Sequence, residues 1–256
     1  MAPTSYDPTS YWNARARQYM DDPVRAVCLD DADENRCIDR VQRHLLRAAV
    51  HSLKRRTTLR GKAVLDHGCG SGRWITFLRE LGLDYHGTDI AESMLALAQR
   101  RHPDAALRPV DAGHLPYPDG HFDLVWSVAV IHHNPYDAQE HMIADMVRVL
   151  HPGGSAIWLE GLGLHTVPHT NYFPRPLLEW QEVAARHGLT LTWHRGATYM
   201  VLRPLASRAA PWLQPDQLDR WQRLLTRLDA VVDPYLQALL PPRYHTRAVM
   251  LFQKPH

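Results

Sequence analysis

The run Val64-Leu65-Asp66-His67-Gly68-Cys69-Gly70-Ser71-Gly72 has the composition of a ligand-cradling turn between a strand and a helix. Glycine lets the backbone turn tightly and lets a ligand approach the main chain where a Cβ would collide. Roughly 20 residues on, Asp89 ends a second apolar stretch, at the spacing where nucleoside-binding folds set a carboxylate on the ribose hydroxyls. Ile90, next along, is suited to pack on a purine face. Asp111–Ala112 end a third stretch, where a side-chain acceptor meets an amino group. Farther on, Ser127-Val128-Ala129-Val130-Ile131 leads to adjacent His132 and His133. An imidazole has the unperturbed pKa for a base near neutrality.

Two glycine codes compete for the turn. A dinucleotide fold requires G-x-G-x-x-G, with the pyrophosphate at a helix N-terminus. Gly68 and Gly70 meet that pattern, but its third position is Arg73. The chain instead reads D-x-G-x-G-x-G through Asp66, Gly68, Gly70 and Gly72, which excludes hydride transfer from a dinucleotide. The 17 histidines show no ligand spacing on one helix face, so no metal site is expected.

The elements that must hold these residues follow from periodicity. Strands are expected at Ala63–Asp66, Tyr85–Thr88, Ala106–Val110, Phe122–Val130 and Ser155–Glu160. Helices are expected at Arg73–Leu81, Ser93–Arg101 and Gln139–Leu150, the last stopped by Pro152-Gly153-Gly154. Strands alternating with such helices predict a parallel sheet covered on both faces. Upstream, a short aromatic helix is expected within residues 1–20. Ile38, Val41, Leu45, Leu46 and Val50 then recur at helical spacing, with arginines between them. Downstream, a loop at His165–Pro176 precedes a helix at Leu177–His187 and a strand at Leu189–His194. Proline-punctuated helices over Pro204–Leu240 and a last strand at Ala248–Gln253 complete the chain.

The bulk composition agrees with one globular domain. Apolar residues make up 45% of 256, and the net charge of +2 falls short of a dedicated nucleic-acid binder. Cys28, Cys37 and Cys69 lack metal-ligand spacing and fit a reducing compartment. There is no signal-like N-terminus and no apolar run long enough to span a bilayer, so a cytoplasmic enzyme without membrane partners is expected.

Four ordered blocks over Lys62–Glu160, "VLDHGCGSG", "GTDI", "DAGHLPYPDGHFDLVWS" and "VRVLHPGG", resemble the class I S-adenosylmethionine-dependent methyltransferases, in the methyltransferase type 11 or UbiE-like group. The resemblance implies an α/β, Rossmann-like fold whose seven-stranded, mostly parallel sheet has its last strand antiparallel. N-terminal helices and a helical insert near the C-terminus complete it. It implies S-adenosyl-L-methionine as cofactor, with Asp66, Gly68, Cys69, Gly70, Asp89, Ile90, Met94, Asp111, Ala112 and Ser127 as its contacts. An N-terminal aromatic or arginine often closes over the donor in relatives, and Tyr11, Trp12 and Arg15 are the residues for it here. His67 stands where relatives carry an aliphatic residue. On this reading residues 1–60 are a helical lid segment, 61–160 the cofactor core, and 161–256 the completion of the sheet with a substrate-binding insert.

Methyl transfer from a sulfonium needs alignment and exclusion of water, and a base only where the acceptor keeps its proton. His132 and His133 are the base candidates, with His165, His169 and Tyr172 behind them. Base-amine methylation is disfavoured, because Asn134-Pro135-Tyr136 lacks a second proline, and no Pro-Cys is placed to attack a pyrimidine. A small-molecule acceptor walled by Tyr172, Phe173, Trp193, Tyr199 and Trp212 is the leading expectation, with O- or N-methylation in bacterial metabolism or natural-product biosynthesis. "SVAVIHH" also resembles the tRNA wobble-uridine carboxymethyl methyltransferases, and a non-catalytic cofactor-binding member is a further alternative. The oligomeric state is left open.

Overall fold

The computed structural model describes residues 6–20, 22–27, 29, 31–110, 114–163, 171–198, 202, 205, 212–236 and 245–256. Seven strands form one sheet: β1 (Ala63–His67), β2 (Asp84–Asp89), β3 (Ala106–Pro109), β4 (Phe122–Val128), β5 (Leu150–Gly161), β6 (Thr190–Ala197) and β7 (Arg247–Gln253). Their order is β3-β2-β1-β4-β5-β7-β6. The pairs β1–β2, β1–β4, β2–β3 and β4–β5 are parallel, whereas β7 runs antiparallel to both β5 and β6. This is the Rossmann-like sheet with a reversed last strand that the motifs imply.

Side chains alternate across each strand, so the apolar strands feed two cores. One face carries Val64, Trp126, Ile157 and Leu251 against α3 (Ala32–Lys54) and α4 (Ile75–Glu80). The other carries Leu65, Val125, Trp158 and Phe252 against α6 (Tyr136–Val149) and α7 (Leu177–Arg186). The Ile38–Val50 periodicity is borne out, since all five apolar residues are buried. Asp31 caps α3 by accepting the N–H groups of Asp33 and Glu34, both at 2.8 Å. This helix is therefore a core element. Of the first sixty residues, α1 (Pro8–Gln18) and α2 (Pro23–Val27) instead pack on α5 (Glu92–Arg101) through Ala16, Ala26, Met94 and Leu97.

One expectation is corrected. Pro152-Gly153-Gly154 does not separate helix from strand. β5 already begins at Leu150, and a register shift between Phe122 and Leu124 of β4 absorbs the extra residues. Gly153 N–H is satisfied by Lys254 O at 3.0 Å. Of the range expected to hold proline-punctuated helices, the described residues include a 22-residue helix, α8 (Pro215–Leu236), and Leu205 is helical as well. It lies along α3, with Arg227 Nε donating to Asp33 at 3.0 Å. Among the described residues no helix is long and apolar enough to cross a membrane.

Because Leu45 is fully buried between α3 and the sheet, Leu45→Ala is expected to cost about 2–5 kcal/mol through lost transfer energy and a cavity. Urea unfolding checks this as a lower midpoint at unchanged slope.

Candidate active site

Loops leaving the carboxyl ends of parallel strands meet at one edge of the sheet, where ligands bind in such folds. Here they enclose a cavity of about 670 Å³. Its β1 wall is backbone. Gly68 has φ of +69°, and a Cβ there would lie 2.5 Å from the Val130 methyls. The loop is pinned from β2, because Asp89 accepts the N–H of Gly70 at one oxygen and of Ala91 at the other, each at 2.9 Å. Burial pushes the Asp89 carboxyl up to about 6, so it is ionised at neutral pH. Each of its oxygens retains a lone pair for a further donor.

Gly68, Cys69, Gly70, Asp89, Ile90 and Met94 all line this cavity, and Trp12 of α1 closes over it. Four other expected contacts lie elsewhere among the described residues. Asp66 points into the opposite core, where Tyr85 Oη donates to it at 2.9 Å, and burial raises its pKa to about 7. Ser127 is buried beneath the loop, its hydroxyl 3.4 Å from Glu160. Arg15 clasps α1 to α2 by donating to the Ala26 carbonyl at 3.2 Å and the Arg25 carbonyl at 2.5 Å. Tyr11 supports Trp12 edge-on, with ring centroids 5.0 Å apart. Asp111, Ala112, His165, His169 and Tyr199 fall outside the described residues.

The two histidines part company in a 3₁₀ turn, Ile131–His133. His132 is buried and absent from the cavity wall. Its Nδ1 accepts the Gly161 N–H at 3.0 Å and also contacts a carboxyl oxygen of Glu160. Imidazole Nδ1 carries either one lone pair or one proton, so these two contacts compete for it. Burial raises the Glu160 pKa to about 7. Burial and Arg247 hold His132 well below the usual imidazole range. His132 is thus a support, not the exposed base expected.

His133 does line the cavity, edge-on to Trp12 at 5.4 Å between ring centroids. Its Nδ1 lies 2.7 Å from the Asn171 carbonyl, which requires the proton there and leaves the lone pair on Nε2. Burial first, then His132, lowers its pKa to about 3.

Glu160 is a residue the motifs did not single out. It accepts from Val130 N (3.4 Å), Ile131 N (3.2 Å) and His132 N (3.1 Å), so it shapes the whole turn. Its sequence signal is a lone acid closing an apolar strand. Ala129, with φ of +59°, is the described non-glycine residue in the left-handed region, at the same strand end. His67 also lines the cavity, buried and neutral, its pKa lowered to about 4 by burial, with neither ring nitrogen hydrogen-bonded among the described residues.

Beyond the glycine loop the walls mix aliphatic side chains, among them Val110, Val128, Val130, Ala138 and Met142, with the polar Asn134, His141, Asp145 and Arg148. Of the aromatics expected to wall a pocket, the four that are described do not line this cavity. Tyr172 and Phe173 pack behind the histidine turn, Trp193 joins the core, and Trp212 is 81% exposed. No cluster of metal-ligating side chains occurs among the described residues.

A family described as a methyltransferase domain matches residues 64–154. The chain is 28% identical over 226 residues to a fatty-acid O-methyltransferase of Mycolicibacterium smegmatis, covering 87% of this chain and 70% of that one. It is 34% identical over 147 residues to a phthiotriol/phenolphthiotriol dimycocerosates methyltransferase of Mycobacterium ulcerans, covering 56% of this chain and about half (51%) of that one. The fold is similar to a crystal structure of magnesium protoporphyrin IX methyltransferase from Synechocystis with SAH bound. That likeness has a TM-score of 0.61 at 14% identity, over 96% of this chain and 97% of that one. The site suits such a donor: the Gly68 backbone leaves room that a Cβ would fill, and Asp89 has lone pairs to spare.

The buried carboxyls set a pH dependence. Asp66 and Glu160 have folded pKa values raised to about 7, so the stability they contribute is lost as pH rises through 7. His67 and His133 act oppositely, but only below about 6.5, where their unfolded rings protonate. Between about pH 6.5 and 8.5 the ligand-free protein should therefore lose stability. Asp66→Asn, which still accepts from Tyr85, should lose less. Urea midpoints at the two pH values decide it.

Proposed function

As a class I S-adenosylmethionine-dependent methyltransferase, a membership carried by the matched domain, the motif order and the sheet, the chain has its donor chemistry assigned, and we propose that it O-methylates a small apolar molecule through a hydroxyl or carboxyl oxygen. The observation that carries this is the unprotonated Nε2 of His133 on the cavity wall, beside Val128, Val130 and Met142. Supporting it, relatives are named for fatty-acid and phthiotriol-type acceptors.

S-adenosylmethionine supplies, when bound, a methyl group on a sulfonium that is open to displacement. The rest falls to the chain. Gly68, Cys69 and Gly70 present backbone to the donor, and Asp89 accepts from ribose hydroxyls. Ile90 and Met94 offer apolar contact to its base. Asp66 and Ser127 act one layer behind, and Tyr11 and Arg15 hold Trp12 and α2 in place. The lid is α1 with α2, and Trp12 excludes water from the reacting centre. His133 Nε2 accepts the hydrogen bond of an acceptor hydroxyl and takes its proton as the oxygen is alkylated. A carboxylate acceptor needs no base, and for it His133 serves as a wall. We place the reaction in the cytoplasm.

Three outcomes are expected. Asp89→Ala weakens donor binding by about 1–3 kcal/mol in calorimetry, the order of an unmade charge-assisted bond. In the wild type, donor affinity rises with pH through about 6, because the raised Asp89 pKa leaves the carboxyl part-protonated below that value. With a long-chain alcohol or fatty acid as acceptor, His133→Ala lowers kcat about tenfold or more for the alcohol and little for the acid. Equal effects on both acceptors would remove His133 from proton transfer.

A further inference from the structure

A second cleft, of about 960 Å³, lies on the far side of α3 and is lined by seven arginines against two aspartates. Arg36, Arg40, Arg43 and Arg47 recur at i, i+4, i+7 and i+11, which sets them on one face of α3. Arg25 of α2, Arg73 and Arg101 face them from across the cleft. The acidic partners are already engaged. Asp39 is held by Arg43 at 2.7 Å and Arg73 at 3.0 Å, and these keep its carboxyl below the usual range despite burial. Asp22 pairs with Arg25 at 3.8 Å. Arg36 turns outward to Asp33.

That leaves a surplus. Arg40 and Arg47 make no hydrogen bond or ion pair among the described residues. Arg101 spends one donor on the Ser71 carbonyl at 3.0 Å and keeps the rest of its fork. His44, also in the wall, is held below its ordinary pKa by burial and then by Arg195 and Arg47, as a locally positive field requires. Guanidinium forks converging on a cleft match the oxygens of phosphate, which they bind bidentately. Like charges gathered without a counter-charge otherwise destabilise the helix that carries them.

We propose that this cleft binds an oligophosphate group, separately from the methyl-transfer cavity. Arg73 lines both cavities, so the bound anion sits next to the wall of the donor site. The shared chemistry is a phosphate oxyanion cluster, from a soluble nucleotide-like ligand or from a phospholipid headgroup. Val24 and Val231 at the cleft give the second source an apolar contact. The site does not depend on the identity of the acceptor.

The test is calorimetric titration of the full chain at low salt with pyrophosphate and with ADP, alongside flotation with phosphatidic acid and phosphatidylcholine vesicles. Saturable binding is expected, weakened about tenfold or more in R40Q/R47Q and unchanged in the exposed control pair R17Q/R56Q. Circular dichroism verifies that each variant is folded. Binding of pyrophosphate or ADP without flotation identifies a soluble phosphate, whereas flotation on phosphatidic acid alone identifies a headgroup. Two results overturn the site: no saturable binding to any of the four probes, or equal losses in the control pair.

Discussion

Backbone N–H groups in loops at the carboxyl ends of a parallel sheet must be satisfied where water is excluded, and two buried carboxyls meet that demand here. Asp89 takes those of Gly70 and Ala91, and Glu160 takes those of Val130, Ile131 and His132. An unsatisfied buried N–H costs roughly 1–3 kcal/mol, so each carboxyl is worth more as an organiser than as a charge. Asp89 fixes the loop after β1 from the end of β2. Glu160 fixes the turn after β4 from the end of β5. The cavity is the space left between these two ties.

The ties differ in protonation, and that difference divides their labour. Asp89 is ionised at neutral pH and faces the cavity, so it offers lone pairs to a donor's hydroxyls. Glu160, its pKa raised by burial to about 7, lies fully inside and contacts His132 Nδ1. The turn is cross-linked from both sides, by Glu160 on three backbone N–H groups and by the Gly161 N–H on His132 Nδ1. Ala129 enters this turn at φ of +59°, a conformation that only such over-determined surroundings sustain.

Much of this was legible in the chain. The glycine spacing and the acid at the end of β2 gave the donor wall, since both are local patterns with one physical reading. The apolar spacing in α3 gave a core helix for the same reason. Which of two adjacent histidines faces the cavity was not legible, because a 3₁₀ turn separates neighbours by a rotation that no periodicity reports. Glu160 was missed because its partners lie about thirty residues away on another strand. The C-terminal aromatics were assigned to a pocket on composition alone. Trp193 packs on the core that α3 covers, and Trp212 is exposed instead.

The two halves of the cavity rest on different kinds of atoms, and this bears on what each can recognise. The donor wall is largely main chain: a Cβ at Gly68 would strike Val130, and one at Gly70 would strike Val27 at 2.7 Å. Most substitutions there deform the loop, so the wall is committed to one ligand. The acceptor wall is side chain, drawn from β4, α6 and the Trp12 lid, and its residues can change size without moving the backbone. A sheet edge built this way keeps its methyl donor while its acceptor drifts. Polar groups on that wall, among them Nε2 of His133, the neutral ring of His67, Asn134 and His141, are accordingly where its own acceptor chemistry has to be written.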